Sequence, residues 1–387
     1  MVVSEKRPEN SKFTTRLYGL EILVICNMAT SIRTSRSTLH LYGKANSALS
    51  RCIKGLKEKK LIKELPSGFI YTFTKQGIDL LEQDYHDWYE FYMRYTSNNR
   101  PGGTETHKAA SIRISELIAM MQVCNIKIGP QKTNPCELFE GKPKNNPQDN
   151  VFYLMKELKF EKNQREARTS TSRASGIIFS RGINALTYNC YDTPMNFRRK
   201  CERETAIHMI GFYKSLFSGE KKGEIKEAIL FSKDDNSAFR IINANKGGRM
   251  IGDAIKSKNA IGLTFRYIPI STTGTEYLKR ITDFTESAIK TSLFTEQEIA
   301  AAQERGIGDA IIGKHICYEF VSCNISKVMN AFNIHKGHIH EIGFVIDSRQ
   351  IEMFRLLQRD CGEKMNVRKL SPEDINKRLY GKEKILQ

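Results

Sequence analysis

The stretch from residue 45 to residue 79 constrains the fold more than any other part of this chain. Apolar side chains recur there at i, i+4 and i+7 and predict one buried stripe of a helix, made of Leu49, Ile53 and Leu56. Hydroxyl-bearing and basic side chains repeat the same spacing on a second face, at Ser47, Arg51 and Lys54. A helix with an apolar back and a basic, hydroxyl-bearing front has the shape and chemistry to enter the major groove of DNA.

Two strands and a further helix are predicted after this helix. Residues 61–65 indicate a first strand, and the Pro-Ser-Gly sequence at residues 66–68 indicates a turn. From Phe69 to Phe73 aromatic residues alternate with other residues, which predicts a returning strand. Thr74 is a suitable N-cap for the next helix because its hydroxyl can accept a backbone N–H bond.

Apolar residues upstream predict two more helices. The first is indicated by apolar positions at helical spacing, which are Leu20, Leu23, Val24 and Met28. A short second helix is predicted over residues 35–42, and Gly43 supplies the turn that leads into the basic helix.

The order helix, helix, basic helix, hairpin, helix resembles the winged helix-turn-helix fold. Its closing segment from Tyr71 to Leu81 reads Tyr-x-Phe-Thr-x-x-Gly-x-x-Leu-Leu and is similar to that of winged-helix regulators. The resemblance implies a recognition helix in the major groove and a wing at residues 63–69 on phosphate or the minor groove. The expected DNA-contacting residues are Lys44, Ser47, Ser50, Arg51, Lys54, Lys57 and Lys63.

Charge agrees with a polyanionic partner. Residues 1–63 contain 13 Lys and Arg against 4 Asp and Glu, and the whole chain carries a formal charge of +18. Such an excess suits double-stranded DNA, although a membrane surface also attracts basic proteins. No apolar run approaches the roughly 20 residues of a membrane span. Because winged helices also bind proteins, a protein-binding scaffold is an alternative interpretation.

The 387 residues suffice for two or three domains. We expect a winged helix-turn-helix with an extended C-terminal helix (residues 1–95), a linker and helical connector (96–150) and a mixed α/β domain (151–387). Aromatic residues at helical spacing continue to Tyr95, and this stripe either forms a dimer seam or packs on the next domain. The fold class predicted is α+β.

Strands and helices alternate after residue 150, which predicts a mixed sheet. Strands are predicted at residues 175–179, 186–191, 228–231, around 241, 263–270, 316–323 and 341–347. Helices are predicted at residues 201–215, 275–283, 295–304 and 351–357, and Thr295 with Glu298 has the spacing of a capping box. Nine cysteines without a Cys-x-x-Cys pair indicate reduced thiols in a cytoplasmic protein.

A metal-dependent nuclease is a second interpretation. Glu157-Leu158-Lys159 has the Glu-x-Lys spacing of restriction-endonuclease-like nucleases, and Asp149 lies upstream. On a strand, residues two apart share a face, so the carboxylates and the lysine would meet around Mg²⁺ and the attacking water. The same spacing arises by chance in a chain that is 27% charged, and the ordinary alternative is a solvated edge.

Three of the eight histidines stand close together, at His335, His338 and His340. Histidines at this spacing, with Cys317 or Cys323 nearby in sequence, are candidate zinc ligands. The alternative is a polar turn before a strand. DNA binding itself requires no cofactor, whereas nuclease activity would require Mg²⁺.

A longer resemblance covers about residues 16 to 215. Segments at residues 107–121 and 153–159, Ser172-Arg173 before Gly176, the pair Tyr188-Asn189 and Glu202 are similar in order to the replication-relaxation type of winged-helix protein. Plasmids and integrative elements of Gram-positive bacteria carry such proteins. The resemblance implies an element-borne DNA-binding protein that acts in replication or transfer. We therefore expect sequence-specific binding of double-stranded DNA in the replication, transfer or regulation of a mobile genetic element. A homodimer is expected because duplex operators are often pseudo-palindromic, and the C-terminal part is a candidate protein-binding region.

Overall fold

The computed structural model describes residues 17–66, 68–95, 105–133, 145–146, 148–160, 172–216, 225–244, 248–256, 262–336, 341–361 and 366–383. These residues form helices and three β-sheets, so the protein is of the α+β class. Among them, no helix combines the length and apolar character needed to cross a membrane. Seven of the cysteines in these ranges are free thiols.

The N-terminal elements occur in the predicted order of three helices followed by a hairpin. They are α1 (Gly19–Ser31), β1 (Arg33–Ser35), α2 (Arg36–His40), α3 (Asn46–Glu58), β2 (Ile62–Glu64) and β3 (Ile70–Phe73). The three strands form an antiparallel sheet in the order β1-β3-β2. The short strand β1 was not predicted. Gly43 adopts a φ of 65° between α2 and α3, as expected for the glycine of this turn.

The single long helix predicted after the hairpin is wrong. The chain forms α4 (Lys75–Asp84) and α5 (His86–Tyr95), which are separated at Tyr85. Thr74 is the N-cap of α4, as predicted, and accepts a hydrogen bond from the Gly77 N–H at 3.1 Å. The Trp88 ring of α5 packs closely on Gly129. A Cβ added at Gly129 would lie 2.8 Å from the Trp88 ring. Trp88 and Tyr92 also share a buried cluster with Phe152 and Leu154, which agrees with the interpretation that the aromatic stripe packs on the next domain.

Helix α6 (Glu105–Val123) packs against both α1 and β1. The Asn27 side chain of α1 donates to the Ser115 carbonyl of α6 at 2.9 Å, and the Ser115 hydroxyl donates to Asn27 Oδ1 at 2.7 Å. This pair is buried. After α6 the chain makes a short 3-10 turn (Gly129–Gln131) and leads to the first strand of a second sheet.

The second sheet has five strands in sequence order. They are β4 (Val151–Leu154), β5 (Gly176–Phe179), β6 (Asn184–Tyr191), β7 (Glu227–Ser232) and β8 (Thr264–Pro269). Strand β5 is antiparallel to both neighbours, whereas β6, β7 and β8 are parallel, so the sheet is mixed as predicted. The helices of this region are α7 (Met155–Phe160), α8 (Arg199–Leu216), α9 (Asp235–Asn243), α10 (Ile251–Lys256) and α11 (Thr272–Asp283).

The strand predicted around Ile241 is wrong, because Ile241 lies inside α9. Asp234 caps this helix by accepting a hydrogen bond from the Ser237 N–H at 2.7 Å. Ile241 and Ile242 are buried, so their β-branched side chains serve the core from a helix.

The third sheet has four strands in the order β12-β11-β10-β9. They are β9 (Ala310–Ile312), β10 (His315–Glu319), β11 (Ile342–Asp347) and β12 (Asn366–Leu370), and only the pairing of β9 with β10 is antiparallel. The helices are α12 (Glu286–Leu293), α13 (Glu296–Arg305), α14 (Ile325–Ile334), α15 (Ile351–Cys361) and α16 (Pro372–Glu383). The predicted capping box of α13, between Thr295 and Glu298, is confirmed.

Two large clusters of buried side chains join these sheets. One contains Phe265 of the five-stranded sheet together with Phe344 of the four-stranded sheet. The other contains Leu56 of α3 together with Phe152 and Ile178 of the five-stranded sheet. The five-stranded sheet therefore shares apolar contacts with both the N-terminal elements and the C-terminal sheet.

Candidate nucleic-acid interface

Helix α3 buries the apolar stripe that the sequence predicts. Leu49, Ile53 and Leu56 are all buried, and Leu56 is fully inaccessible. Burying three such side chains contributes about 1.5–3 kcal/mol each to folding. This burial fixes which face of α3 points outward.

The opposite face of α3 carries the predicted polar residues. Ser47, Ser50, Arg51 and Lys54 are exposed, as are Lys44 before the helix and Lys63 in the β2–β3 hairpin, and Lys57 is half-buried. The N-cap, Ala45, makes no side-chain capping bond. Backbone N–H groups of the first turn can therefore bond an anionic oxygen, which the positive end of the helix dipole also attracts.

The two central cations of α3 are Arg51 and Lys54, and among the described residues no strong ion pair covers either of them. Arg51 Nε donates to the Ser47 carbonyl at 3.4 Å, a bond within its own helix. Lys54 Nζ lies 3.7 Å from Glu58, and the two side chains remain 74% and 64% exposed. Such an exposed i,i+4 pair is worth only about 0.3–0.5 kcal/mol, so a phosphate can displace Glu58 from Lys54.

Lys57 differs from these two cations because it is held within the fold. Its ammonium group forms an ion pair with Glu64 of β2 and lies 5.3 Å from the centre of the Tyr71 ring. The hydrogen bond from Lys57 lowers the pKa of Glu64 below its ordinary value, so the carboxylate stays ionised. The predicted phosphate contact of Lys57 therefore competes with an internal partner.

An ion pair on the inner side anchors α3 to α1. Lys59 Nζ lies 2.7 Å from Glu21 Oε2, and Glu21 is buried. Gly55 permits this approach, since a Cβ at that position would lie 2.9 Å from the Glu21 carboxylate.

Sequence reasoning missed the groove between α3 and the hairpin. It has a volume of about 390 Å³ and is lined by Arg36, Leu39, Leu49, Ser50, Ile53, Lys54, Lys57, Glu58, Glu64, Phe69 and Tyr71. At its edge Phe69 is 61% exposed and has a φ of 54°. The sequence offers only the neighbouring Gly68 as a signal of an unusual turn.

The proposed nuclease residues do not have the arrangement assumed for them. Glu157 lies in helix α7, where residues two apart do not share a face, so the strand premise is wrong. Its buried carboxylate pairs with Lys132 and accepts the Leu154 N–H at 2.9 Å. Asp149 lies 2.7 Å from Lys127 in a separate ion pair. The Lys159 side chain lies outside the described residues.

Only one of the three candidate histidines can be placed. His335 is buried, and its Nε2 lies 3.1 Å from the Tyr318 hydroxyl. His338 and His340 lie outside the described residues. Cys317 and Cys323, named as further ligands, bond to backbone carbonyls. Within the described ranges, no group of three His, Cys, Asp or Glu side chains is placed to hold a metal ion.

Comparison with known proteins gives no relative: no family model, no curated protein and no solved structure matches the chain.

Proposed function

We propose that this chain is a sequence-specific double-stranded DNA-binding protein with an N-terminal winged helix-turn-helix. Helix α3 is its recognition helix and the β2–β3 hairpin is its wing. The observation that carries the proposal is the exposure of Ser47, Arg51 and Lys54 on one face of a helix whose other face is buried. The major groove of B-DNA admits one α-helix, so this face can reach the base edges.

Each of these side chains has a chemistry suited to part of a DNA site. The guanidinium of Arg51 can bond guanine O6 and N7 together, whereas the hydroxyl of Ser47 and the ammonium of Lys54 suit phosphate or base edges. Lys44 precedes the helix and Lys63 stands on the hairpin, so both can reach phosphates on either side of the groove. The formal charge of +18 supports this assignment.

The biological role follows from the resemblance to replication-relaxation proteins. On that basis the chain acts in replication, transfer or regulation of a mobile genetic element. A homodimer on a pseudo-palindromic site and a protein partner of residues 151–387 belong to the same proposal.

The proposal is tested by the double variant Arg51→Ala/Lys54→Ala. DNA fragments that the purified protein retains are sequenced first, and binding to the recovered site is then measured by fluorescence anisotropy over a series of salt concentrations. We expect affinity to fall about tenfold or more, since removing one bidentate base contact costs about 1–3 kcal/mol. The plot of log affinity against log salt should become less steep by about 0.9 for each phosphate that the variant no longer neutralises.

The matched control is Arg305→Ala/Lys314→Ala. These two cations are also exposed, in α13 and in the turn between β9 and β10, and their removal changes net charge equally. Unchanged affinity of the α3 variant at physiological salt would remove α3 as the recognition helix. An equal drop in affinity in both variants would show that only overall charge matters.

A further inference from the structure

The tip of the hairpin presents an aromatic ring in a conformation that side chains rarely adopt. Phe69 is 61% exposed, and its φ of 54° lies in the left-handed region. A bulky residue there is strained, because its Cβ crowds the neighbouring backbone. Observed strain of this kind is grounds for a functional hypothesis, since such positions cluster at ligand contacts.

Hydrogen bonds on both sides hold the Phe69 backbone in this conformation. Its N–H donates to Glu64 Oε1 at 2.8 Å, and its carbonyl accepts the Arg36 N–H at 3.0 Å. The guanidinium of Arg36 lies 5.9 Å from the centre of the Phe69 ring and donates to the Ser50 hydroxyl at 3.5 Å. The ring is therefore preorganised beside α3.

The groove next to Phe69 combines an apolar floor with a charged rim. Leu39, Leu49, Ile53 and Tyr71 form the floor. The rim carries three cations and two carboxylates, which are Arg36, Lys54, Lys57, Glu58 and Glu64, and Lys57 is paired with Glu64. The outer surface of an intact duplex is convex and its bases are stacked, so paired DNA cannot fill an apolar concavity. A base taken out of the duplex can enter such a pocket and stack on an aromatic side chain.

The remaining groups at the rim also suit a nucleotide. Lys54 can hold the phosphate beside the base, because its ion pair with the neighbouring Glu58 is exposed and weak. The carboxylate of Glu58 can in turn accept a hydrogen bond from an exocyclic amino group of a base. A second protein chain would also contact the apolar floor, but a nucleotide supplies both the phosphate that Lys54 attracts and the planar ring that stacks on Phe69.

We propose that the groove between α3 and the hairpin binds an unpaired DNA base stacked on Phe69. This inference rests on the proposed DNA-binding function and makes it more specific. The preferred ligand is a duplex that continues into a single strand. The duplex occupies the outer face of α3, and the first unpaired base enters the groove.

The inference is tested by anisotropy with three DNAs of the same duplex sequence. One is blunt, one carries a single-stranded extension, and one carries an abasic extension with the same number of phosphates. Stacking of one base corresponds to about 5- to 100-fold in affinity. The wild-type protein should prefer the extended duplex by a factor in that range, and the abasic extension should add little.

Three variants separate stacking from general damage. Phe69→Ala should lower the ratio of extended-duplex affinity to blunt-duplex affinity towards one, whatever it does to duplex binding itself, and Phe69→Tyr should retain the wild-type ratio because it keeps the ring. Tyr18→Ala is the matched control, since Tyr18 is an aromatic residue with the same 61% exposure. It should behave as the wild type.

The outcomes distinguish this inference from the proposed function. Equal wild-type binding of blunt and extended duplexes overturns the inference and leaves duplex binding standing. Binding of neither DNA overturns both. If Phe69→Ala instead abolishes self-association in sedimentation and alters no DNA affinity, the groove is an interface between copies of this chain and the inference is wrong.

Discussion

Replacing Glu116 with glutamine should stabilise the protein above neutral pH. Glu116 lies in α6 and is only 3% exposed. Burial raises the pKa of its carboxyl to about 7, although a hydrogen bond from Asn189 and the charge of Arg113 oppose the rise. The Asn189 Nδ2 atom is 3.4 Å from Glu116 Oε2. This long contact offsets little of the cost of burying a carboxylate.

The size of this pH-dependent loss of stability follows from the pKa of Glu116 in the unfolded and in the folded protein. Below pH 4.5 the carboxyl is protonated in both the folded and the unfolded protein, and its burial costs least. As pH rises from 4.5 to about 7, the unfolded chain releases a proton that the folded protein retains, so stability falls. The difference between 4.5 and about 7 corresponds to about 3 kcal/mol at 1.36 kcal/mol per pKa unit.

Urea unfolding at pH 5 and pH 8 measures this effect. Other groups titrate in both proteins, so the informative quantity is the difference between wild type and Glu116→Gln. Between these pH values the wild type should lose about 2.5 kcal/mol more unfolding free energy than the variant. Glu105→Gln, on the same helix but exposed, should show the wild-type dependence. An identical pH dependence in wild type and Glu116→Gln would refute the reasoning.

Two further substitutions test the packing around α3. Gly77→Ala should lower the melting temperature, because the new Cβ would lie 2.1 Å from the Leu61 carbonyl oxygen. This clash should outweigh the helix propensity of alanine, which exceeds that of glycine by about 1 kcal/mol. The control Gly381→Ala, where the nearest atom is 4.0 Å away, should raise the melting temperature. A stable Gly77→Ala protein would contradict the close approach to Leu61. Lys59→Ala should cost about 1–3 kcal/mol in urea unfolding, because buried Glu21 loses its cation, and an unchanged unfolding free energy would show that water replaces the ammonium.

Elements with a strong period could be predicted from the sequence. Helix α3 follows from the apolar repeat at Leu49, Ile53 and Leu56, and the outward position of Arg51 follows from the same repeat. Local capping chemistry was equally informative, since Thr74 and Thr295 cap helices as predicted. These features depend on residues within one or two helical turns.

Features that depend on distant parts of the chain were missed or wrong. Strand β1 has only three residues and exists because β3 pairs with it, through Thr34 and Tyr71 among others. The strand predicted at Ile241 followed β-propensity, which the cap at Asp234 and the packing of α9 override. The Glu-x-Lys sequence at Glu157 can occur on a strand, where both side chains share a face, or on a helix, where they do not. Sequence spacing alone could not decide between them.

The groove beside Phe69 was beyond sequence reasoning for a similar reason. Its floor is assembled from α2, α3 and β3, and its edge depends on a positive φ at a non-glycine residue. Nothing in the residue types at 66–69 requires Phe69, rather than Gly68 alone, to take that conformation. The contacts of Glu64 and Arg36 with the Phe69 backbone supply the cause.

Helix α6 also changes how the proposed DNA-binding face relates to the rest of the protein. Residues 96–150 were expected to form a linker and connector, yet Ser115 of α6 bonds Asn27 of α1, and the Tyr42 hydroxyl beside α3 donates to Gln122 at 2.6 Å. The next residue, Glu116, contacts Asn189 of the five-stranded sheet. Separating α6 from α1 would leave buried polar groups without partners, at about 1–3 kcal/mol each. The proposed recognition helix α3 therefore packs on α1, and α1 packs on α6, which also contacts the five-stranded sheet.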